Sequence, residues 1–263
     1  MKKFMIKFGV VLGIVAICAV VVLYSKFKAQ KPNKTKQLFN VVMVGAAGSG
    51  KGTQSELIKN DLNLIQISMG ELLRQTVKNG GKYAEEIKSY TDKGELVPSK
   101  ISFALLGDYL TENVYCDTCK YNGVIFDGFP RSMDQLEFLD KYLAEKGNKV
   151  NAVVYIDVPM EALVERLSGR FACSKCGELY HKITKPTKVE GTCDKCGGHE
   201  FTVRDDDKDT DAIRKRFKIF EENSGKILDV YNQRGIVVKV DGTKTPAEIA
   251  TVIKEELAKK KNN

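Results

Sequence analysis

The chain has 263 residues, 43% hydrophobic and 29% charged, long enough to bury a sizeable core. Its formal charge of +8 suggests a nucleic-acid partner only until the lysines are located. Residues 1–37 hold eight lysines and no acidic residue, leaving 34 basic against 34 acidic residues in the rest. The globular part thus lacks the net field that attracts DNA or RNA.

The N-terminal lysines flank an apolar run, Phe8 to Tyr24. Seventeen helical residues reach roughly 25 Å, the lower limit for a bilayer span. A cleaved signal peptide shares the basic start, but Leu23-Tyr24-Ser25-Lys26 is not a small-x-small cleavage site. Residues 1–24 are therefore expected to act as an uncleaved anchor, followed by a Lys-rich linker over 25–38. Lysines 26–36 outnumber those before the run, which places the rest of the chain in the cytosol.

Phe39–Val44 predicts a buried strand, closed by Gly45-Ala46-Ala47-Gly48-Ser49-Gly50-Lys51-Gly52-Thr53 and a helix from Lys51. This is a phosphate loop. Its glycines let backbone N–H groups turn around a phosphate, and the helix adds its positive end. Gly48, Ser49, Gly50, Gly52 and Thr53 are the expected ATP cradle, with Lys51 reaching the outer phosphates. Helical patterns follow over 71–78, 83–93 and 99–112. A second strand, Gly123–Phe126, ends on Asp127, where a carboxylate suits Mg²⁺. A third strand, Val150–Asp157, leads into a helix through Gly169.

The stretch 171–203 loses helical periodicity and carries Cys173-x-x-Cys176 and Cys193-x-x-Cys196, a Cys₄ spacing for structural zinc. Helix returns over 211–232, then a strand at 236–240, a turn at Asp241-Gly242 and a helix after Pro246. The alternation predicts an α/β fold with a mainly parallel sheet. A third pair, Cys116 and Cys119, has no second pair to complete a site and is assigned no metal. Paired Cys-x-x-Cys spacing reads as metal-type more than as a disulfide framework and favours a reducing compartment.

Four motifs in order carry a resemblance: Gly-Lys-Gly-Thr-Gln at 50–54, Ile67-Ser68-Met69-Gly70-Glu71-Leu72-Leu73-Arg74, Asp127-Gly128-Phe129-Pro130-Arg131, and Val240-Asp241-Gly242-Thr243-Lys244. Together they resemble the adenylate kinases from about residue 40 to 257. The resemblance implies a kinase domain over 39–257, with a nucleoside-monophosphate part at 68–97, a zinc lid at 171–203 and a basic tail at 258–263. It implies reversible transfer of the ATP terminal phosphate to AMP, with Mg²⁺, in a monomer.

By the same resemblance, Arg74 and Arg131 grip the AMP phosphate, beside Gly128, Phe129 and Pro130. Gln135 meets the adenine, and Glu95, Leu96 and Val97 line its pocket. Arg166, Arg170, Arg204 and Arg216 clamp phosphates, although the spacing from Arg204 to Arg216 is one residue longer than usual, so Arg214 is an alternative for the last place. Leu179 and Tyr180 face ATP from the lid, and Lys244 meets its adenine through the backbone. Met69 stands where the family carries threonine, and a thioether cannot supply that hydroxyl's hydrogen bond. Base choice is thereby left open toward UMP, CMP or GMP. A zinc-ribbon nucleic-acid-binding P-loop protein is the rival from another class, opposed by the neutral globular charge.

Overall fold

The computed structural model describes residues 37–116, 118–204, 207 and 209–261. The expected anchor and most of the linker lie outside them. Among the described residues, no helix is long and apolar enough to cross a membrane.

Strand β1 (Asn40–Val44) is central in a parallel five-stranded sheet. Its neighbours are β3 (Gly123–Asp127) and β4 (Val150–Asp157), with β2 (Leu64–Ser68) and β8 (Val237–Asp241) at the edges. The two faces follow from residue parity. Val42, Val44, Val124 and Phe126 pack in one buried cluster with Leu106 and Leu110 of helix α4 (Ser99–Asn113). Leu136, Leu139 and Leu143 of α5 (Met133–Glu145), with Ile227 and Tyr231 of α7 (Thr210–Gln233), complete that face. Val41, Met43, Ile125 and Val154 point the other way, onto Ile58 of α1 (Lys51–Leu62) and Ile249, Ile253 and Leu257 of α8 (Pro246–Lys261). A sheet covered on both faces explains the nearly continuous apolar strands.

Helices α2 (Met69–Lys78) and α3 (Ala84–Thr91) form a small part at the β2 side. Helix α6 (Met160–Ser168) leads to a three-stranded antiparallel sheet, β6-β5-β7, built from β5 (Arg170–Cys173), β6 (Leu179–His181) and β7 (Phe201–Thr202). Strand β2 and helix α5 come in addition to the elements expected from periodicity. The first is a five-residue edge strand with three partly exposed positions, too short for an apolar run to stand out.

The third cysteine pair differs from the thiol reading. Cys116 and Cys119 are joined by a disulfide, whereas the four lid cysteines are free.

Candidate active site

The phosphate loop turns between β1 and α1. Gly48 and Gly50 sit at φ +83° and +97°, and Gly50 is the N-cap of α1. A side chain at Gly48 would also meet Leu167 Cγ at 2.8 Å. Ser49 N–H donates to Ala46 O at 3.1 Å, and Lys51 Nζ folds back onto the carbonyls of Gly45 and Ala46 at 2.8 and 2.9 Å. Burial pushes the Lys51 ammonium down to about 8. Asp127 opposes that shift, while Arg131, Arg216 and Arg170 add to it. One lysine therefore feels a carboxylate and three guanidinium groups from elements far apart in sequence.

Asp127 ends strand β3, beside the central β1, almost fully buried, and Gln66 Nε2 of β2 donates to its Oδ2 at 3.3 Å. A Cβ on Gly52 would stand 3.5 Å from the same oxygen, an ordinary contact that places the carboxylate beside the loop. Thr53 is exposed.

Arg131 is fixed locally. Its Nε donates to Gly128 O at 2.8 Å and its N–H to Gln135 Oε1 at 2.8 Å. Gly128, at φ +75°, leaves room that a side chain would fill, since a Cβ would meet Arg131 Nη2 at 2.7 Å. Phe129 is buried, with Phe103 and Phe138 packed edge-on against its ring, and precedes Pro130. Gln135 spends its carboxamide oxygen on Arg131, so a base contact from it falls to its NH₂ group.

On the α2–α3 side, Arg74 pairs with Glu71, Nη2 to Oε2 at 2.8 Å. Met69 and Val97 are buried in the same apolar cluster. The 94–97 turn is docked on α7: Lys215 Nζ lies 3.0 Å from Glu95 Oε1 and from Lys93 O. Leu96 is partly buried in that turn. A Cβ on Gly94 would sit 3.2 Å from Arg216 Cγ.

Two of the arginines expected to clamp phosphates, Arg170 and Arg216, meet at a residue that motif spacing did not single out. Asp207, 3% exposed, accepts Arg170 Nε at Oδ2 (2.7 Å) and Arg216 Nη1 at Oδ1 (3.0 Å). Its own N–H donates to the carbonyl of Arg204 at 3.0 Å. Within the run of acids at 205–211 its side chain had no mark in sequence to set it apart from the exposed Asp209 and Asp211. Of the two alternatives, Arg216 is partly buried against Asp207 and Arg214 is exposed. Arg166 is anchored elsewhere, Nη2 to Gly242 O at 2.8 Å, against the turn that carries an exposed Lys244.

In the lid, the Sγ atoms of Cys173, Cys176, Cys193 and Cys196 all lie within 4.8 Å of one another, an arrangement that could hold a metal ion. Burial pushes the Cys193 thiol up, but the Tyr180 hydroxyl and the N–H groups of Cys196 and Lys195 outweigh it and bring it to about 6. Burial pushes Cys176 up to about 12.

Tyr180 sits inside the lid cluster. Expected on the ATP-facing surface, it is 2% exposed, with its hydroxyl on Cys193 Sγ (3.4 Å) and accepting Asp194 N–H (2.7 Å). Its ring stacks on Phe171 and meets Phe201 edge-on. Strand alternation puts Leu179 and His181 on the opposite, partly exposed face. The lid also touches α2: Lys78 Nζ donates to Ser174 O at 3.1 Å, and a Cβ on Gly177 would lie 3.4 Å from Glu71 Oε1.

A glycine-rich loop at the end of a central parallel strand, a buried carboxylate beside it and converging arginines define a P-loop phosphotransferase. The adenylate kinase family model matches residues 43–236. Proteins named adenylate kinase are similar over most of their length. That of Enterococcus faecalis is 43% identical over 216 residues, covering 82% of this chain and 96% of that protein. Those of Thermodesulfovibrio yellowstonii and Methanothrix thermoacetophila are 42% and 41% identical over 220 residues, covering 84% of this chain and 99% of each relative. The chain belongs to the adenylate kinase family and is a nucleoside monophosphate kinase.

Proposed function

We propose that the chain transfers the terminal phosphoryl group of ATP to AMP, giving two ADP, in both directions. The observation that carries this reading is the convergence on Lys51 of Asp127, Arg131, Arg170 and Arg216. A single triphosphate needs fewer cations, whereas a donor and an acceptor phosphate facing each other need charge neutralised from several sides.

In this reading Gly48 to Thr53 hold the ATP phosphates, with Lys51 on the outer ones. Arg74 and Arg131 take the AMP phosphate, for which guanidinium forks are suited. An AMP phosphate oxygen attacks the γ-phosphorus in line as the bond to the ADP oxygen breaks, and no protein atom becomes phosphorylated. Arg166, Arg170, Arg204 and Arg216 offset charge on the transferring group. Residues 68–97 and 171–203 close over the two nucleotides and keep out water, the competing acceptor. Val97 and the NH₂ of Gln135 bound the acceptor base, and the 241–244 turn bounds the ATP base.

Asp127 and the loop fit Mg²⁺ carried with ATP, since the carboxylate is buried beside Gly52. Mg²⁺ would supply charge neutralisation between the phosphates. The four lid thiols fit a structural Zn²⁺ with no open coordination position. The kinase domain works as a monomer, and residues 8–24 tether it to a membrane with the domain on the cytosolic side. The lysine flanks and the length of the apolar run support that tether.

An ATP-consumption assay of the full chain across AMP, CMP, UMP and GMP tests the reading. AMP is expected to give the highest kcat/KM. A preference for a pyrimidine monophosphate would replace AMP as the acceptor, and no turnover with any of the four would end the reading. Release of the chain from membranes by salt alone would end the tether.

A further inference from the structure

Cys116 and Cys119 lie outside both the kinase cleft and the lid cluster. They close a single turn in the connection from α4 to β3. Cys119 N–H donates to Cys116 O at 3.1 Å, the Cα atoms are 5.3 Å apart and the two sulfurs are bonded. Both residues are half-buried, so the bond is within reach of solvent.

The flanks of this turn are held without the disulfide. Tyr115 N–H donates to Leu110 O at 2.9 Å, Asn122 N–H to Asn63 O at 2.8 Å, and Asn63 Nδ2 to Lys120 O at 3.0 Å. Breaking the S–S bond therefore leaves two thiols in a turn that returns them to bonding distance. A bridge across three positions also removes little freedom from the unfolded chain, so it contributes little as a staple. The turn follows the C-terminal end of α4, where helix carbonyls do not stabilise a thiolate as a helix N-terminus does. Without a favoured thiolate, the dithiol form is not stabilised against the disulfide.

We propose that Cys116 and Cys119 form a reversible dithiol–disulfide site served by a small thiol–disulfide couple. In the oxidising direction, one cysteine thiolate attacks a sulfur of RSSR, forming a mixed disulfide and releasing RS⁻. The second cysteine thiolate attacks the protein sulfur of that adduct, closing the Cys116–Cys119 bond and releasing the second RS⁻. Two electrons pass from the cysteine pair to RSSR, and the two cysteine protons leave with two RSH. The lid thiols are a separate population, with Cys173 and Cys193 buried and all four clustered. The kinase cleft is also separate, since Asp127 lies at the far end of β3, about 13 Å along the strand from Gly123.

The test is thiol mapping on the full-length chain. The protein is reduced with dithiothreitol, transferred to glutathione disulfide, alkylated and digested, with turnover assayed at each stage. The peptide containing residues 116–119 is expected to pass from two alkylated cysteines to none and back, while the lid peptides and turnover stay constant. In Cys119→Ser, which has no second thiol to close the ring, a glutathione adduct is expected to persist on Cys116. The proposal is overturned if the native bond resists dithiothreitol until the chain is unfolded, or if it fails to re-form under glutathione disulfide. Absence of the adduct in Cys119→Ser, or oxidation confined to the lid cysteines, overturns it equally. Failure of the kinase reading would leave all of these outcomes untouched.

Discussion

The carboxylate of Asp207 and the guanidinium of Arg170 form a buried ion pair, Nε to Oδ2 at 2.7 Å, and the other carboxylate oxygen of Asp207 takes Arg216. Two like charges are thereby held at fixed positions by the two oxygens of one carboxylate. Replacing Asp207 by Asn keeps an acceptor but removes the charge that offsets the two arginines. The expected result is a fall in kcat of about 10- to 100-fold with little change in KM, because the arginines lose their fixed orientation and the nucleotides keep their other contacts. Steady-state kinetics with both nucleotides varied reads this, and a change confined to KM would assign Asp207 to binding instead.

Lys51 gives a pH dependence of defined sign. Burial lowers its pKa to about 8 in the ligand-free protein, so its charge is present below that pH and lost above it. Weaker ATP binding is expected as pH rises through about 8, read from kcat/KM, which reports the free enzyme. Between about 8 and the ordinary lysine value the unfolded chain holds a proton that the folded one has released, so this group adds stability as pH rises. Lys51→Met should therefore melt higher than the parent near pH 7 while losing about 10²- to 10³-fold in turnover. A flat ATP-binding profile to pH 10 would show that Lys51 does not lose its proton in this range.

The lid cysteines should bind one zinc ion per chain, released by chelator with a lower melting temperature and a higher KM for ATP. Cys193→Ser should abolish the site. Tyr180→Phe should loosen the metal by about 10- to 100-fold, as loss of a ligand's hydrogen-bonding partner does. The zinc-loaded Tyr180→Phe enzyme should keep its KM for ATP, because the hydroxyl is spent inside the lid. A raised KM in that loaded form would return Tyr180 to the nucleotide surface.

Met69 is 4% exposed among Leu73, Ile87, Val97 and Ile101. Met69→Thr restores a hydroxyl at the position but leaves a void in that packing, so a loss of about 2 kcal/mol in stability is expected. At the same time the kcat/KM ratio of AMP over CMP should rise, by up to about tenfold for one added hydrogen bond. Denaturant titration and paired acceptor assays measure the two effects, and an unchanged ratio would remove Met69 from base selection.

The local features were legible without a structure. Contiguous chemistry survives in one dimension, as in Gly45 to Thr53, Asp127 to Arg131 and the two lid Cys-x-x-Cys pairs, because turns and knuckles are made by neighbours along the chain. The α/β alternation was legible for the same reason, since a doubly covered parallel sheet needs unbroken apolar strands. Only the tertiary structure decided what depends on packing. It set Asp207 apart from the exposed Asp209 and Asp211, turned Tyr180 into the lid while its strand neighbours faced out, and engaged the Gln135 oxygen with Arg131. It also joined Cys116 to Cys119, a pair whose spacing had ruled out a metal site for want of a second pair but could not tell a disulfide from two free thiols. Above all, it brought the charges of Asp127, Arg131, Arg170 and Arg216 to bear on Lys51, although they come from elements far apart in sequence.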